Sequence, residues 1–549
     1  MAKSGEKFEI RIESILGGHA SSPFFASDDQ YTWSHGIDPS LQVDLITTSK
    51  IGGPSGLLRP VALKNVGTTT VTNQVNWLAV DPKTATATVF VYASDGSVYT
   101  ITNPQSPSTS TISGLGDLND GGDASGNGMA YYDNYIYFAR DTTIARYGPL
   151  DGTPAFIDDY WVGTLGLTAL TDQTYPHPVE SNNTPYPNHF LHRHSDGKLY
   201  IADVVGNQGT LHYVKTSKTT TEGDTNDGST YNAVSVGYGL WPTSIESYGS
   251  DLAIAFFEAP NTTELGSSNE RRTKPIKAKV AFWDTTTAKV DKITWVEFPD
   301  PYISAMKNVG GVLYVISGSP GNLGFRVSRF IGGYTFEEVA FIPVADLCFP
   351  GAVDARGKQL IFGTYSSMSP GGVVLSLGGR SSLFNDKIFG IGGASENEMV
   401  TAVLLPVVSA GDSYTLDGLI TGLSGGGGTD TLSGAWDRTE NVSFVAEWRS
   451  RYYMIGQRFK ITKLRIPMAS PMQANVNVSV DFVVDRPSNT TTHSLSSIDG
   501  SIDSHLVVRR CSVEGRLGFY LELAWDSTKG NPIATIGLPI IIEGELIDD

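Results

Sequence analysis

The chain has 549 residues with a formal net charge of −18 at neutral pH, and 40% of its residues are hydrophobic. This hydrophobic content excludes a wholly disordered chain, and the acidic balance excludes a whole-chain basic surface of the kind that binds nucleic acid. No apolar run reaches the ~18 residues of a transmembrane helix, and the polar start of the chain predicts that there is no secretory signal peptide.

Residues 51–423 carry a recurring unit, in which a tight polar turn is followed by alternating apolar residues. Asp-Gly and Asn-containing turns supply the positive φ that two-residue hairpins require. The units recur about every 53 residues, close to the ~40–50 residues that four short strands and their turns need. The sequence therefore predicts an all-β fold with a β-propeller of about seven irregular blades, centred on Val98, Ile136, Leu199, Leu252, Leu313, Leu360 and Leu416.

Other all-β folds also fit this pattern, namely an array of β-sandwiches or an irregular β-solenoid. Residues 1–50 precede the first clear unit. We expect this N-terminal segment to join the propeller or to close its ring with an outer strand, because closure removes the unpaired strand edges.

Two acidic loops lie within the predicted propeller, at residues 117–123 and 224–228. Carboxylate oxygens on a tight loop suit Ca²⁺. The first loop has Gly122 at position six counted from Asp117, but position twelve is Gly128 instead of the glutamate that an EF-hand requires. A long polar surface turn is therefore favoured over a calcium site.

Three histidines, His189, His192 and His194, lie close together in the sequence. Imidazoles at this spacing are candidate ligands for Zn²⁺ or a similar metal. In a strand, His192 and His194 point to the same face, whereas His189 need not. No carboxylate is visibly placed to orient them, so a structural role is favoured and no metal or cofactor is predicted.

No catalytic motif is recognisable in the chain. The segment around Ser55 lacks the G-x-S-x-G pattern, and the glycine run at 425–428 lacks the lysine of a phosphate-binding loop. With 57 acidic residues, no spacing selects a pair for glycoside cleavage. Cys348 and Cys511 have no histidine or asparagine beside them in sequence, so both thiols are predicted to be unreactive. We therefore expect that the protein is not an enzyme.

A glycine-rich segment at 424–430 has the composition of a flexible linker. Beyond it, residues 431–549 contain longer strands with regular alternation, such as Val476 to Val484 and Leu517 to Trp525. This pattern predicts a half-buried antiparallel β-sandwich. The last run, Ile536 to Ile542, contains Pro539 and is predicted to be an edge strand.

One basic and aromatic patch follows the linker, and it alternates arginines with aromatic side chains. Such a patch can bind glycans, nucleic acid or acidic protein surfaces, or it can be a strand pair with a basic outer face. Because the rest of the chain is acidic, a protein–protein contact is favoured. The predicted contact residues are Trp448, Arg449, Arg451, Tyr452 and Arg458.

A β-propeller followed by a β-sandwich, without a signal peptide or a catalytic motif, resembles virion proteins of tailed bacteriophages. The resemblance rests on the seven turn-and-strand units and on the C-terminal run from Trp448 through Phe459 to Phe519. It is most similar to the tail nozzle proteins of short-tailed phages, which close the end of the DNA conduit as a ring. No functional residue is carried over from this resemblance.

The resemblance implies a viral structural protein of the bacteriophage tail, assembled in the host cytoplasm and acting in DNA ejection. Its expected partners are copies of itself in a homo-oligomeric ring, other virion tail proteins, and DNA that passes without specific binding; no membrane insertion is expected. The ring channel is expected to be predominantly negative, with the arginines nearer subunit contacts. The alternatives are a tail receptor- or glycan-binding protein and a cellular β-propeller scaffold or enzyme.

Overall fold

The computed structural model describes residues in many short ranges and is almost entirely β-structure. The described ranges are 5–15, 18–20, 24–35, 37–38, 57–60, 62–65, 71, 75–81, 88–93, 95–102, 111–118, 128–140, 144–161, 189–205, 208–214, 230–258, 277–287, 289–290, 294–318, 325–342, 351, 353–356, 359–363, 372–377, 383–388, 397–404, 419–425, 431–437, 444–468, 476–485, 490–499, 505–527 and 536–548. Within them, no helix is long and apolar enough to cross a membrane.

The first three blades of a β-propeller follow one another along the chain, each a four-stranded antiparallel sheet. Blade 1 contains β7 (Val75–Asp81), β8 (Thr88–Ala93), β9 (Ser97–Thr102) and β10 (Thr111–Asp117). Blade 2 contains β11 (Gly128–Tyr132), β12 (Tyr135–Ala139), β13 (Ile144–Gly148) and β14 (Ala155–Trp161). Blade 3 contains β15 (Leu191–Arg193), β16 (Leu199–Val205), β17 (Gln208–Val214) and β18 (Thr230–Tyr238).

Four further blades complete the set of seven. Blade 4 contains β19 (Leu240–Tyr248), β20 (Asp251–Glu258), β21 (Ala278–Trp283) and β22 (Val296–Glu297). Blade 5 contains β23 (Tyr302–Val309), β24 (Val312–Gly318), β25 (Phe325–Gly332) and β26 (Thr335–Ile342). Blade 6 contains β27 (Val353–Arg356), β28 (Gln359–Gly363), β29 (Gly372–Leu377) and β30 (Leu383–Ile388). Blade 7 contains β31 (Asn397–Leu404), β32 (Leu419–Gly425), β33 (Thr431–Asp437) and, from the N-terminal part of the chain, β6 (Ala62–Asn65). The predicted β-propeller is confirmed.

The first strand of each blade contacts the first strand of the next, and β31 contacts β7, so the ring is closed. The closing strand is β6, which pairs antiparallel with β33 from Asn65 opposite Ser433 to Ala62 opposite Asp437. Closure therefore uses residues 62–65 and not the predicted segment 1–50. Pairing with β6 gives the last blade its fourth, outer strand and ties an N-terminal strand to the C-terminal end of the propeller.

Hydrophobic side chains fill the space between successive blades. The central strands β12 and β21 are buried at every position, since each blade is covered on both faces by its neighbours. Leu252 and Ile254 of blade 4, for example, pack with Tyr200 and Leu211 of blade 3. The alternating pattern around each turn therefore encodes contacts with two neighbouring blades.

The glycine-rich segment at 424–430 does not connect two domains. Gly425 ends β32 and Thr431 begins β33, and these two strands pair within blade 7. The predicted linker is thus the loop of a hairpin, because Gly and Thr-Asp residues serve a turn as readily as a flexible connection.

Two antiparallel sheets enclose a single hydrophobic core in the C-terminal part of the chain. One sheet has the order β1 (Lys7–Ile12), β42 (Ile540–Leu546), β36 (Phe459–Pro467), β39 (Leu506–Gly515). The other has the order β3 (Gln30–His35), β34 (Phe444–Ser450), β40 (Gly518–Ser527), β37 (Val476–Val484), β38 (Thr491–Asp499), with β2 (Gly18–His19) beside β3 and β35 (Tyr453–Met454) beside β40. A separate small sheet contains β4 (Ile37–Asp38), β5 (Leu57–Pro60) and β41 (Ile536–Gly537).

The N-terminal segment belongs to these C-terminal sheets. Ile12, Ile15 and Tyr31 are buried in the same core as Trp525. The β3 strand also pairs with β30 of blade 6, with His35 opposite Lys387. The run that was predicted to be an edge strand is interior, since β42 pairs with β1 on one side and β36 on the other. Proline is tolerated because Pro539 precedes β42 and lies outside its ladder.

Candidate functional site

Four ionisable side chains occupy equivalent positions on the inner strands of blades 3 to 6. Each lies opposite the residue that directly follows the central leucine of the second strand, so their partners are Tyr200, Ala253, Tyr314 and Ile361. In blade 2, the same position is Ala130. We call these four side chains the inner-strand row: His192, Glu246, Lys307 and Asp354.

Neighbouring members of the row interact across the blade boundaries. His192 Nε2 lies 3.8 Å from Glu246 Oε1, and Lys307 Nζ lies 3.4 Å from Asp354 Oδ1. All four side chains are largely but not completely shielded from solvent. The row therefore places interacting ionisable groups around more than half of the propeller ring.

Burial sets the protonation of the row. It raises the pKa of Glu246 to about 7, although the positive charge of Lys307 opposes this rise. Burial, together with the charges of Lys307 and His194, lowers the pKa of His192 to about 3. Burial alone lowers the pKa of Lys307, but the charges of Asp354 and Glu246 outweigh it and raise the pKa overall. At neutral pH, His192 is neutral, Lys307 is charged and Glu246 is about half ionised.

Ser247 links the row to a second histidine. Its Oγ lies 2.8 Å from His192 Nε2 and 2.8 Å from His194 Nδ1. His194 Nε2 lies 3.2 Å from the carbonyl oxygen of Ser250, so this nitrogen donates and Nδ1 accepts the Ser247 proton. His192 Nε2 then donates to Ser247 Oγ. This chain of hydrogen bonds joins blade 3 to blade 4.

The histidines predicted to lie together are divided by the structure. His192 and His194 point to the same face, as predicted, because both reach Ser247. His189 is fully buried elsewhere, with its Nδ1 3.6 Å from Asp203 Oδ1, while His212 Nε2 lies 3.0 Å from Asp203 Oδ2. Across the part of the chain that the structure describes, no three His, Cys, Asp or Glu side chains are placed to hold a metal ion.

Sequence analysis missed three members of the row, although a signal was present. Glu246, Lys307 and Asp354 each stand three residues before a glycine in the following turn. Aligning the repeats on these glycines, at 249, 310 and 357, places the three charged residues in one column.

Two other sequence-predicted features have partial outcomes. The acidic loops at 117–123 and 224–228 lie outside the described residues, apart from Asp117 and the buried Leu118. Cys348 also lies outside them. Cys511 is half-buried, and burial raises the pKa of its thiol to about 11, which disfavours the reactive thiolate.

The predicted contact patch is largely used within the chain. Trp448 is 1% exposed and lies in the core between the C-terminal sheets, so it is not available to a partner. Tyr452 is also buried and packs against Tyr520. Trp448 therefore faces the inner core, whereas Tyr452 follows the end of the strand and packs in a separate cluster with Val483 and Tyr520.

The three arginines of the patch make ion pairs within the protein. Arg449 Nη2 donates to Glu522 Oε1 at 3.0 Å and its guanidinium lies over the ring of Tyr520. Arg451 pairs with Asp28, and Arg458 Nη2 lies 3.3 Å from Glu514 Oε2. These ion pairs are intramolecular, and the contact of the arginines with neighbouring subunits stays a prediction.

An exposed apolar patch lies beside these arginines. Phe25 is 90% exposed and Met454 is 69% exposed. Phe24 packs edge-on against Tyr452, and Leu517 lies next to the β35 segment because its carbonyl accepts from Ile455 and Gly456. We call Phe24, Phe25, Met454 and Leu517 the apolar patch. The sequence signal for it is the Phe-Phe pair between polar residues at 21–29.

Comparisons with known proteins give fold-level similarity alone. The chain matches no protein-family model, and no curated protein is significantly similar to it in sequence. A catalytically inactive virginiamycin B lyase from Staphylococcus aureus is 12% identical, with 68% of this chain and 99% of that chain covered and a TM-score of 0.39. An exo-β-1,3-galactanase from Phanerochaete chrysosporium is 11% identical, covering 88% and 100%, with a TM-score of 0.28. Chaetomium thermophilum Raptor is 8% identical, covering 69% and 30%, with a TM-score of 0.41.

The class of protein follows from the strand order. The chain is a β-propeller protein of seven blades whose ring is closed by an N-terminal strand.

Proposed function

We propose that the protein is a structural component of a bacteriophage tail, which assembles as a homo-oligomeric ring and forms a nozzle or conduit for DNA. The apolar patch is the observation that carries this proposal. Exposed apolar side chains that lie together mark interaction sites, because covering them releases water and lowers the free energy. Phe25 and Met454 are the most exposed members of the patch.

A second copy of the chain is the occupant that best suits the apolar patch. Its rim carries both signs of charge, with Asp28 and Arg451 on one side and Arg516 next to Leu517. A mixed rim can meet its own opposite charges in a neighbouring copy, whereas a strongly charged partner would meet repulsion from half of it. The ion pairs of Arg449 and Arg458 hold the surrounding strands in place.

An acidic ring suits the passage of DNA. The chain has a net charge of −18, so a ring of copies can present a negative lumen to the nucleic acid. A basic lining would instead hold phosphates by counterion release. The negative lumen repels the phosphates and so prevents binding. Because this repulsion is screened over ~8 Å at physiological salt, it does not block transit.

The oligomeric state of the full chain tests the proposal. Sedimentation of the wild-type protein over a wide concentration range should show a discrete oligomer, and Phe25→Ser with Met454→Ser should shift it to monomer. The matched control is Ile331→Ser, which removes a side chain that is 57% exposed at a hairpin of blade 5. A wild-type chain that stays monomeric at every concentration would overturn the ring. So would purified phage particles that contain the protein as an isolated peripheral spike.

A second candidate function is the binding of a polar ligand such as a glycan, and the inner-strand row favours it. Glu246, Lys307 and Asp354 can offer both donors and acceptors at the centre of the propeller. Lys307→Ala should abolish such binding on a glycan array and leave the oligomer intact. A wild type that binds no glycan, together with a Lys307→Ala variant that still assembles, supports the ring.

A further inference from the structure

Blade 2 contains a buried arginine within a group of tyrosines. Arg146 of β13 lies directly opposite Tyr137 of β12, and both are on the blade face that packs against blade 3. Tyr132 of the same face donates its hydroxyl proton to the carbonyl of Gly197 in blade 3 at 2.7 Å. This tyrosine group therefore belongs to the boundary between the two blades.

Aromatic rings cover the Arg146 guanidinium. The Arg146 side-chain carbon Cζ lies 4.4 Å from the ring centre of Tyr135 and 4.0 Å from that of Tyr160. The residue is 1% exposed. Cation–π contact stabilises the charge, but the N–H groups point outward in the guanidinium plane and still need acceptors.

Among the residues that the structure describes, no carboxylate pairs with this guanidinium, and the neutral Tyr137 hydroxyl lies beside it. The Nε, Nη1 and Nη2 atoms of Arg146 are all buried without a hydrogen-bond partner. Arginine cannot lose its proton inside a protein, so it cannot escape the cost of burial by becoming neutral. An uncompensated buried charge costs several kcal/mol, and an anion at the guanidinium edge would remove that cost.

A second donor lies beside this edge. The Tyr137 hydroxyl is also buried without a partner at hydrogen-bonding distance and angle. Burial raises its pKa well above the ordinary value, although the positive charge of Arg146 opposes the rise. The hydroxyl is therefore protonated at neutral pH and can donate to an anion.

We propose that the boundary between blades 2 and 3 is a binding site for one small oxyanion of the phosphate class, held by the edge of the Arg146 guanidinium and by the Tyr137 hydroxyl. A planar guanidinium fork matches two oxygens of such an anion with parallel hydrogen bonds. The anion serves as a structural ligand that ties the two blades together. This inference is independent of the proposed tail function.

Inorganic phosphate is the probe for the test. Ion chromatography of the denatured, extensively dialysed full chain should detect about one phosphate or sulfate per chain when the site is filled during expression. For chain freed of anion, the melting temperature should rise by on the order of 1 °C for each tenfold increase in phosphate above the dissociation constant. Sodium chloride at equal ionic strength should give no such rise.

Two variants assign the effect to the site. Arg146→Gln should remove the phosphate dependence, and Tyr137→Phe, which keeps the ring, should weaken phosphate binding several-fold. The matched control is Arg140→Gln in the same blade, where the native arginine donates to the carbonyl of Asp158 at 3.4 Å. That control should melt earlier in every buffer and keep the phosphate dependence. A wild-type chain that releases no anion and melts at the same temperature with and without phosphate would refute the site.

Discussion

Asn65 of β6 lies directly opposite Ser433 of β33, and this pair joins two parts of the chain that are far apart in sequence. The pairing closes blade 7 and, through it, the propeller ring.

A disulfide across this pair should stabilise the ring. Opposite Cα atoms in an antiparallel ladder are ~4.5–5.5 Å apart, which is within the range that a disulfide spans. Asn65→Cys with Ser433→Cys should therefore form a cross-link under oxidation and increase the free energy of unfolding by up to about 5 kcal/mol. Thermal unfolding with and without reductant measures the effect. The two single-cysteine variants are the controls, and equal stability of the oxidised and reduced double variant would contradict this account of closure.

The C-terminal sheets should not fold from residues 438–549 alone. That fragment lacks Ile12, Ile15 and Tyr31, which are all buried in the shared core. Each missing large apolar side chain costs ~2–5 kcal/mol, so their combined loss of ~6–15 kcal/mol is as large as the whole stability of a typical domain. Near-ultraviolet circular dichroism should show no fixed environment for Trp448 and Trp525. Fusing residues 5–38 to the fragment should restore that signal; a fragment that folds without them would show that β1 and β3 are dispensable.

Glu246 should make stability fall as pH rises. Its pKa in the folded protein is about 7, above the ordinary value of 4.5, so folding favours the protonated form. The contribution is complete below pH 4.5 and is lost as pH rises to 7, by about 3 kcal/mol.

Glu246→Gln removes this titration, so the difference in unfolding free energy between variant and wild type should change across that window and be constant above it. His192, Lys307 and Asp354 face Glu246 or its neighbours and remain in both proteins, so subtraction isolates the carboxyl group. Denaturant titrations at pH 4.5 and pH 8 test this expectation. A constant difference would mean that Glu246 has an ordinary pKa.

Ser247→Ala should destabilise the boundary between blades 3 and 4. The substitution leaves His192 Nε2 and His194 Nδ1 without the hydroxyl that both now contact at 2.8 Å. Leaving buried polar groups unpaired costs ~1–3 kcal/mol each. Chemical denaturation measures the loss in unfolding free energy. Ser250→Ala is the control, because Ser250 accepts from His194 through its backbone carbonyl, which the substitution keeps. Equal stability of the Ser247 and Ser250 variants would exclude the hydrogen-bond chain.

Local sequence features were sufficient to predict the strands, the hairpins and the blades. A two-residue alternation and a turn that needs positive φ, such as Gly249-Ser250 before Leu252, act over a few residues and are visible without a structure. The regular recurrence of these units predicted the propeller. The same repeats would have revealed Glu246, Lys307 and Asp354 if they had been aligned on the turn glycines.

Only the tertiary structure decided which distant segments meet. The glycine-rich loop between β32 and β33 has the composition of a linker, and nothing within it shows that Ile420 lies opposite Gly434. Arg451 and Trp448 are close together in the sequence, yet Arg451 pairs with Asp28 and Trp448 lies in the core between the C-terminal sheets. Both surroundings include the N-terminal segment, which packs with those sheets. Pairing between strands hundreds of residues apart depends on which complementary edges and faces remain after local structure forms. That outcome is a property of the whole chain and has no local signature.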